Sequence, residues 1–339
     1  MVRRDFIQTA AAAGLTGSLG QGCSSMVKTS RAPAKKLVRK DLDREPQPSL
    51  IVATCQFRIS DDSEKNCEII LRQMATAKEK GAEIVHFSET CLGGYAGVDF
   101  ESFEGYDWNL LQSCTEKVMA KAKALDLWVV LGSNHRLSGD HKPHNSLYLI
   151  DNSGVILDRY DKMFCTGDRK ETSGDLKHYS PGDHFVVFTV KGITCGLQIC
   201  HDMRYPELYR EYCRRGIQLM FHSYYNGKRT FKNPDNPDEN IWKVITEPTM
   251  QTDAAENNLW ISANNTATVE SCWPSFFVRP DGVIVGRLKR NEESVLITTV
   301  DTKYTFYDAS GVWRDRALNG VYHSGTLVSD PRSIDRTSL

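Results

Sequence analysis

The chain has 339 residues, of which 40% are hydrophobic, 25% charged and 9% aromatic, a composition that excludes collagen-like, low-complexity and wholly disordered proteins. Its net charge is −1, but the first 40 residues carry eight Lys or Arg and one acidic residue, so residues 41–339 carry −8. A body of that charge is a poor ligand for nucleic acid, and no stretch has the length and apolarity of a permanent membrane span.

The N-terminus has the order of an export signal. Arg3 and Arg4 precede an Ala/Gly/Leu segment and then small residues before Cys23. The Arg-Arg-x-Phe-Ile run resembles a twin-arginine signal, whose pathway carries folded proteins across the bacterial inner membrane. Residues 1–23 therefore predict the twin-arginine export machinery as a partner and a periplasmic location, with membrane tethering if Cys23 is lipidated. An unstructured basic tail is the alternative.

The remaining chain divides into three predicted parts. Residues 24–48 are basic, contain prolines and lack apolar periodicity, which predicts a flexible tether. Residues 49–301 hold the periodic elements of one domain, and residues 302–339 are predicted to be a tail that packs on the domain or on a dimer partner. The ten cysteines form no short paired framework, so most are expected to be buried thiols.

The first part of the domain alternates strands and helices. Apolar runs predict strands at 50–57, 82–89 and 127–133, and apolar residues at helical spacing predict helices at 61–80 and 107–125. Alternation of this kind favours a mainly parallel, buried sheet.

Three hairpins and a second set of helices and strands follow. The hairpins are predicted at 145–162, 185–200 and 276–288, each turning at a glycine. Further helices are predicted from Pro206 to Gly216 and over 240–257, with strands at 217–223, 259–264 and 295–301. Pro248 is expected to kink or split the second of these helices. The two similar halves predict two mixed sheets packed together under outer helices.

Three chemically active side chains stand where predicted strands end: Glu89, Lys162 and Cys200. The carboxyl ends of strands line the ligand crevice of α/β sheets, so these groups are expected to meet there. A Glu in partly apolar surroundings suits a general base. A Cys beside an ammonium and near the start of the helix at Pro206 is expected to be an activated thiolate. A structural thiol and a surface ion pair are the alternatives for each residue taken singly.

The segments that contain these residues resemble the nitrilase superfamily of carbon–nitrogen hydrolases. They are residues 83–89, 160–164 and 196–207, in the order Glu, Lys, Cys with spacings of 73 and 38 residues. The resemblance spans about residues 49–301. It implies an α/β fold, a nitrilase-like four-layer αββα sandwich of two mixed sheets, and a homodimer or higher homo-oligomer. It also implies that no metal and no cofactor is needed.

The resemblance further implies a Glu-Lys-Cys triad. Cys200 would attack the carbon of an amide or nitrile, Glu89 would carry the proton, and Lys162 with the backbone N–H of His201 would hold the oxyanion. The predicted activity is hydrolysis of linear amides or N-carbamoyl compounds through a thioester, with release of ammonia or an amine. An N-acyltransferase that uses the same thioester and a catalytically silent binding module stay open as alternatives.

Substrate-binding residues are predicted from the same resemblance. Many members add a second Glu between Lys and Cys, and Glu171 is predicted to take that place, with Asp175 as the second choice. His201 is predicted to contact the small-molecule amide or carbamoyl substrate beside the nucleophile, and Tyr225 beside the acyl pocket.

Three histidines lie close together in the sequence near the first hairpin. His135, His141 and His144 have spacings of six and three residues. Because no single strand or helix clearly aligns them, no metal site is predicted there.

Overall fold

The computed structural model describes residues 48–338, so the predicted export signal, the tether up to residue 47 and Cys23 lie outside the described residues. The described chain forms twelve strands and six α-helices. The strands are β1 Ser49–Gln56, β2 Ile84–Phe87, β3 Trp128–His135, β4 His144–Ile150, β5 Ile156–Asp161, β6 Val187–Val190, β7 Ile193–Ile199, β8 Leu219–Ser223, β9 Trp260–Asn264, β10 Phe276–Val278, β11 Ile284–Arg287 and β12 Ser294–Asp301. The helices are α1 Ser63–Glu79, α2 Trp108–Leu125, α3 Pro206–Arg214, α4 Ile241–Asn257, α5 Arg314–Leu318 and α6 Pro331–Ile334.

The strands form two six-stranded sheets. The first has the order β12-β1-β2-β3-β4-β5 and the second β11-β10-β9-β8-β7-β6. In each sheet three central strands run parallel, β1-β2-β3 and β7-β8-β9, and the outer pairs are antiparallel. Both sheets are therefore mixed, because hairpins extend a parallel core, as the two similar halves of the sequence predicted.

One face of each sheet packs on the other sheet. Leu50 and Val52 of β1 lie in the same fully buried cluster as Leu197 and Ile199 of β7 and Phe221 of β8. Residues two apart on a strand share a face, which is why alternate apolar residues meet here. Burying side chains of this size typically contributes about 1.5–3 kcal/mol each.

The opposite faces of the sheets carry the helices. Ala53 and Cys55 of β1 pack with Ile70 of α1 and Val118 of α2 in one cluster. A separate cluster joins Met250 of α4 to residues of α3, β8 and β9. The layers thus run helix, sheet, sheet, helix, and the predicted αββα sandwich is confirmed.

Individual residues explain the start of α1 and an irregular position within α4. Asp62 caps the N-terminus of α1: its side chain accepts from the backbone N–H groups of Glu64 and Lys65. α4 contains Pro248 and continues through it as one helix, so of the two expected outcomes, a kink or a split, the split does not occur. Pro248 has no N–H to donate to the carbonyl of Val244, and both residues are exposed.

Beyond β12 the chain forms the short helices α5 and α6 and lies largely exposed. Arg214 of α3 donates to the carbonyl of Leu318 at 2.7 and 2.9 Å, and the Phe306 ring meets Trp260 edge-on at 5.3 Å. Among residues 48–338, no helix combines the length and apolarity that crossing a bilayer requires.

Candidate active site

The three residues predicted to act together stand at the ends of three strands in two different sheets. Glu89 follows β2 by two residues, Lys162 follows β5 directly, and Cys200 follows β7 directly. β2 and β5 belong to the first sheet and β7 to the second. The packing of the two sheets is therefore what brings the carboxylate and the ammonium to the thiol.

Lys162 lies between two carboxylates. Its Nζ is 2.7 Å from Oε1 of Glu89 and 2.8 Å from Oδ2 of Asp175. Glu89 also accepts from Nδ2 of Asn145 at 2.7 Å and, on its other oxygen, from the backbone N–H of Tyr225 at 2.8 Å. The Glu89 and Lys162 side chains are 0% and 1% exposed, so this ion pair is shielded from water.

The charges of this cluster stabilise one another. Burial by itself would lower the pKa of Lys162, but Asp175 and Glu89 hold that pKa well above its ordinary value. Burial would raise the pKa of Asp175, whereas Lys162 and hydrogen bonds from Lys162 and Tyr95 hold it below the ordinary value. The ammonium therefore stays charged at neutral pH, where it can oppose negative charge that develops on a substrate oxygen.

Cys200 is held in an unusual backbone conformation. It has a positive φ of 45°, at the point where β7 turns into the 3-10 helix Cys200–Arg204. Such a conformation costs on the order of 1–3 kcal/mol for a non-glycine residue and is common at functional sites. The turn carries the Cys200 side chain into a cavity.

The thiol differs from the sequence-based expectation of a thiolate. Burial raises the pKa of Cys200 well above its ordinary value, Glu89 raises it further, and Lys162 offsets only part of the rise. α3 begins at Pro206, beyond the intervening 3-10 turn, so the expected helix start does not lie at the thiol. Cys200 therefore rests as a thiol, and a base must remove its proton when it attacks.

Asp202 connects the nucleophile turn to the strand that carries Lys162. Its Oδ2 accepts from Tyr160 Oη at 2.7 Å and from the backbone N–H of Ile199 at 3.1 Å, and its Oδ1 accepts from the backbone N–H of Phe164 at 2.8 Å. Burial raises the pKa of Asp202 to about 6. This buried carboxyl therefore holds the residues on both sides of Lys162, and the residue before Cys200, in fixed positions.

The cavity has a volume of about 630 Å³, ample for a small amide. Two of the predicted substrate-binding residues, His201 and Tyr225, line it together with Lys162, Asp175 and Cys200. Burial and then Lys162 lower the pKa of His201, so its imidazole is neutral at pH 7.

The prediction for Glu171 is wrong in placement. Its side chain is 62% exposed, pairs with Lys142 at 3.7 Å and does not line the cavity. The second choice, Asp175, contacts Lys162 instead. The reason lies in the loop after β5: the 3-10 helix Asp175–Lys177 turns Asp175 inward, and its Oδ2 also accepts from the backbone N–H of Thr166.

Sequence reasoning missed two residues of the site. Asn145 of β4 donates to Glu89, and Tyr95 donates to Asp175 at 2.6 Å while Lys162 lies 3.3 Å from the same phenol oxygen. Asn145 is a buried amide at the polar start of β4, and a buried polar residue in a predicted strand is a signal visible in the sequence. Tyr95 lies in a loop whose course no periodicity predicts.

The mouth of the cavity is basic. Lys177, Arg204, Lys228 and Arg229 line it, whereas Asp175 is the one carboxylate lining it within residues 48–338. Lys228 is paired with Asp99 at 2.7 Å, whereas Arg204 and Lys177 are exposed and form no ion pair with an acid in that same range. The charges at the mouth therefore favour a ligand that carries negative charge away from the thiol.

The histidines of the first hairpin have other partners. His135 Nδ1 lies 2.7 Å from Tyr148 Oη, and His144 Nδ1 lies 2.8 Å from the carbonyl of Ser180. In the described part of the chain, no group of three or more His, Cys, Asp or Glu is placed to hold a metal ion.

The sequence matches a known protein family and known amidases. Residues 51–306 match the family model for carbon-nitrogen hydrolases. The omega-amidase NIT2 of Homo sapiens is 27% identical over 263 residues, which cover 75% of this chain and 90% of that protein. The N-carbamoylputrescine amidase of Oryza sativa subsp. japonica is 27% identical over 286 residues, covering 78% of this chain and 91% of that protein.

Solved structures share the fold. A mutant amidase of the nitrilase superfamily from Nesterenkonia AN1 has a TM-score of 0.63 at 21% identity, over 76% of this chain and 93% of its own. Another mutant of the amidase from Nesterenkonia sp. AN1, with the acetamide moiety of fluoroacetamide added covalently at its active site cysteine, has a TM-score of 0.62 at 19% identity, over 77% and 93%.

Proposed function

The chain belongs to the carbon–nitrogen hydrolase family, and from that premise we propose that it hydrolyses the C–N bond of linear amides or N-carbamoyl compounds through a thioester on Cys200. The observation that carries the proposal is that Cys200 and Lys162 line one cavity, and that the Lys162 ammonium lies 2.7 Å from the buried carboxylate of Glu89 behind it. A thiol alone is common in cores; a thiol in a cavity beside a base and a fixed cation is an arrangement for acyl transfer.

The reaction follows from the charges of the cluster. Sγ of Cys200 attacks the amide carbon while its proton passes to Glu89, and the C=O electron pair moves onto oxygen beside the Lys162 ammonium. The C–N bond then breaks, and Glu89 returns the proton to the leaving nitrogen. Water attacks the thioester, its proton passes through Glu89 to Sγ as the C–S bond breaks, and the carboxylic acid leaves.

The basic residues at the mouth of the cavity restrict the charge that a substrate can carry. Arg204 and Lys177 stand at the cavity without acidic partners in the described chain, and Asp175 is already paired with Lys162. A substrate amine would meet only like charge there, whereas a carboxylate remote from the amide would meet two cations. The proposed substrate is accordingly a linear amide or carbamoyl compound with an anionic far end.

Three amides of similar length test both parts of the proposal. Purified protein is given glutaramate, pentanamide and 5-aminopentanamide, which carry a carboxylate, no charge and an ammonium, and ammonia release is measured. We expect the order glutaramate, pentanamide, 5-aminopentanamide, and no turnover with Cys200→Ala. Arg204→Gln should raise KM for glutaramate about tenfold and leave pentanamide within twofold, with Arg332→Gln as an exposed control.

Two outcomes would overturn separate parts. Turnover that survives Cys200→Ala removes the thioester mechanism, and equal KM values for the three amides remove the anionic substrate. An amide product without free acid in the presence of an amine would identify an acyltransferase.

We also propose that the chain acts after export. Arg3, Arg4 and the following apolar segment support twin-arginine transport. Because this pathway exports proteins that have already folded, the buried cysteines can be enclosed as thiols before the protein reaches an oxidising compartment. Expression with Arg3→Lys/Arg4→Lys should leave the protein in the cytoplasmic fraction, and a periplasmic location of that variant would contradict the proposal.

A homodimer is proposed as well. Several large apolar side chains after β12 stand open to solvent, including Tyr307 at 80%, Tyr322 at 87% and Val328 at 74% exposed. A surface of this kind favours burial against a second copy. Sedimentation equilibrium of residues 48–339 should give twice the monomer mass; a monomer at micromolar concentration would contradict the proposal.

A further inference from the structure

A buried histidine links the two sheets directly behind the site. His86 of β2 is fully buried between the sheets; its Nδ1 lies 2.8 Å from Oγ of Ser262 in β9 and its Nε2 lies 2.8 Å from Oγ of Ser223 in β8. Ser262 Oγ is also 2.8 Å from Oγ1 of Thr54 in β1. The surrounding layer is otherwise mostly apolar, so this polar chain crosses a place where alkyl side chains are expected.

The hydrogen bonds that link Thr54, Ser262, His86 and Ser223 all run in one direction. Ser223 donates its hydroxyl proton to the carbonyl of Phe87 at 2.9 Å, so its oxygen accepts from His86 Nε2–H. Burial lowers the pKa of His86 to about 3, so the ring is neutral and Nδ1 accepts from Ser262. Ser262 in turn accepts from Thr54. Each polar hydrogen in the chain then has one acceptor, and the chain ends on the β2 backbone.

The chain ends next to the general base. Phe87 precedes Glu89 by two residues, and Ser223 precedes Tyr225 by two. Tyr225 donates its backbone N–H to Glu89 at 2.8 Å, and the Glu89 N–H points to the carbonyl of Tyr224 at 3.4 Å. The ends of β2 and β8 thus meet through Glu89. The hydrogen bond between His86 and Ser223 joins the same two strands closer to their N-terminal ends.

We propose that His86 is a positioning residue for the reaction: it locks β2 of one sheet against β8 and β9 of the other and so fixes Glu89 relative to Cys200. Apolar contacts between sheets are non-directional and tolerate small shifts, whereas hydrogen bonds of 2.8 Å fix one register. A misplacement of about 1 Å at reacting groups can cost on the order of a hundredfold in rate. The inference rests on the proposed role of Glu89 as proton carrier.

The test separates positioning from simple stability. His86→Leu removes both hydrogen bonds, and His86→Gln retains one donor and one acceptor at similar reach. Ile84→Ala is the matched control, because Ile84 is buried in the same layer on the same strand but takes no part in the polar chain. Each full-length protein is measured for thermal unfolding, for kcat and KM with glutaramate, and for alkylation of Cys200 by iodoacetamide. The alkylation is followed by peptide mapping and separated into maximal rate and half-saturating concentration.

We expect His86→Leu to lower kcat and the maximal alkylation rate of Cys200 about tenfold while KM and the half-saturating concentration stay within twofold. His86→Gln should restore most of both rates, and Ile84→Ala should lower the unfolding temperature with both rates kept. If His86→Leu does not fold, Ser223→Ala removes the acceptor of His86 Nε2 together with the hydrogen bond to the Phe87 carbonyl, and it should show the same separation of rate from affinity.

The opposite results are equally definite. A His86→Leu variant that behaves like Ile84→Ala, less stable but with both rates unchanged, would overturn the positioning role. Absence of wild-type turnover would count against the proposed hydrolysis, whereas the iodoacetamide rates would still decide the role of His86, because alkylation requires only deprotonation of Cys200.

Discussion

The Lys162 ammonium and the Glu89 carboxylate lie 2.7 Å apart with almost no solvent exposure, and Asp175 pairs with the same ammonium at 2.8 Å. One cation therefore serves two buried carboxylates. The arrangement keeps Lys162 charged and leaves Glu89 with a hydrogen-bonded, fixed position beside the nucleophile. It also makes the fold at this point depend on the same charges as the chemistry.

Removing the shared cation should destabilise the protein and abolish turnover. Lys162→Met leaves Glu89 and Asp175 buried without their partner, a loss of about 3–5 kcal/mol for a broken buried pair. Lys142→Met is the control, because Lys142 and Glu171 form an exposed pair at 3.7 Å worth less than about 1 kcal/mol. Urea unfolding compares the two; equal stabilities would show that Lys162 is not held by buried charge.

Asp175 and Glu171, which both lie in the loop after β5, should differ in their effect on activity. Asp175→Asn removes a charge that holds Lys162, so kcat/KM should fall by on the order of a hundredfold or more, the loss of one strong charge-assisted contact. Glu171→Gln, four residues away and exposed, should retain activity within twofold. Steady-state kinetics on both variants decides the matter, and a larger loss with Glu171→Gln would return the second carboxylate to that position.

A close backbone contact makes Gly132 irreplaceable next to the site. A Cβ at Gly132 of β3 would overlap the carbonyl oxygen of Ser88, which immediately precedes Glu89. Gly132→Ala should therefore displace the Glu89 segment and lower activity at least tenfold, with a stability loss of about 1–3 kcal/mol. The adjacent Ser133→Ala should leave activity unchanged. An active, stable Gly132→Ala enzyme would mean that this backbone contact is looser than the structure has it.

Asp253 of α4 should make the protein less stable as the pH rises. Burial raises its pKa to about 7 from the ordinary 3.8, and Oδ2 has no hydrogen-bond partner in the described chain. Because the folded pKa is above the unfolded one, the stabilisation is complete below about pH 4 and is lost as the pH rises through 7. Asp253→Asn removes this dependence, so at pH 8 it should be more stable than the wild type by up to about 4 kcal/mol.

Unfolding of Asp253→Asn and wild type at pH 4.5 and pH 8 measures the effect. The exposed Asp238→Asn serves as control and should follow the wild type at both values. A difference between Asp253→Asn and wild type that does not grow with pH would contradict the burial of an ionisable carboxyl at this position.

Local patterns predicted most of the fold and the ends of its strands. Glu89, Lys162 and Cys200 were placed correctly at strand ends because alternation and turn residues define where a strand stops. Glu171 was misplaced because the course of a 20-residue loop depends on hydrogen bonds such as that from Thr166 to Asp175, which no local pattern encodes. The raised pKa of Cys200 likewise depends on burial between elements distant in the chain.

The partners of His86 also could not be predicted from local sequence patterns. A histidine in an apolar strand is visible in the sequence, but its partners Ser223 and Ser262 lie 137 and 176 residues away. Only the packing of the two sheets shows that these residues share one set of hydrogen bonds. Buried polar residues within predicted strands were the signal that sequence reasoning left unused, for His86 as for Asn145.

The central claim is that an acyl group passes through a thioester on Cys200, with Glu89 carrying the proton. Wild type, Cys200→Ala and Glu89→Gln are each mixed with glutaramate, quenched in acid within milliseconds and examined by intact-mass analysis and peptide mapping. The account predicts a mass gain equal to the acyl group on Cys200 of the wild type, and none on Cys200→Ala. It predicts ammonia release by neither variant at more than about a thousandth of the wild-type rate. Ammonia release by Cys200→Ala near the wild-type rate, or an acyl group mapped to another residue, would contradict it.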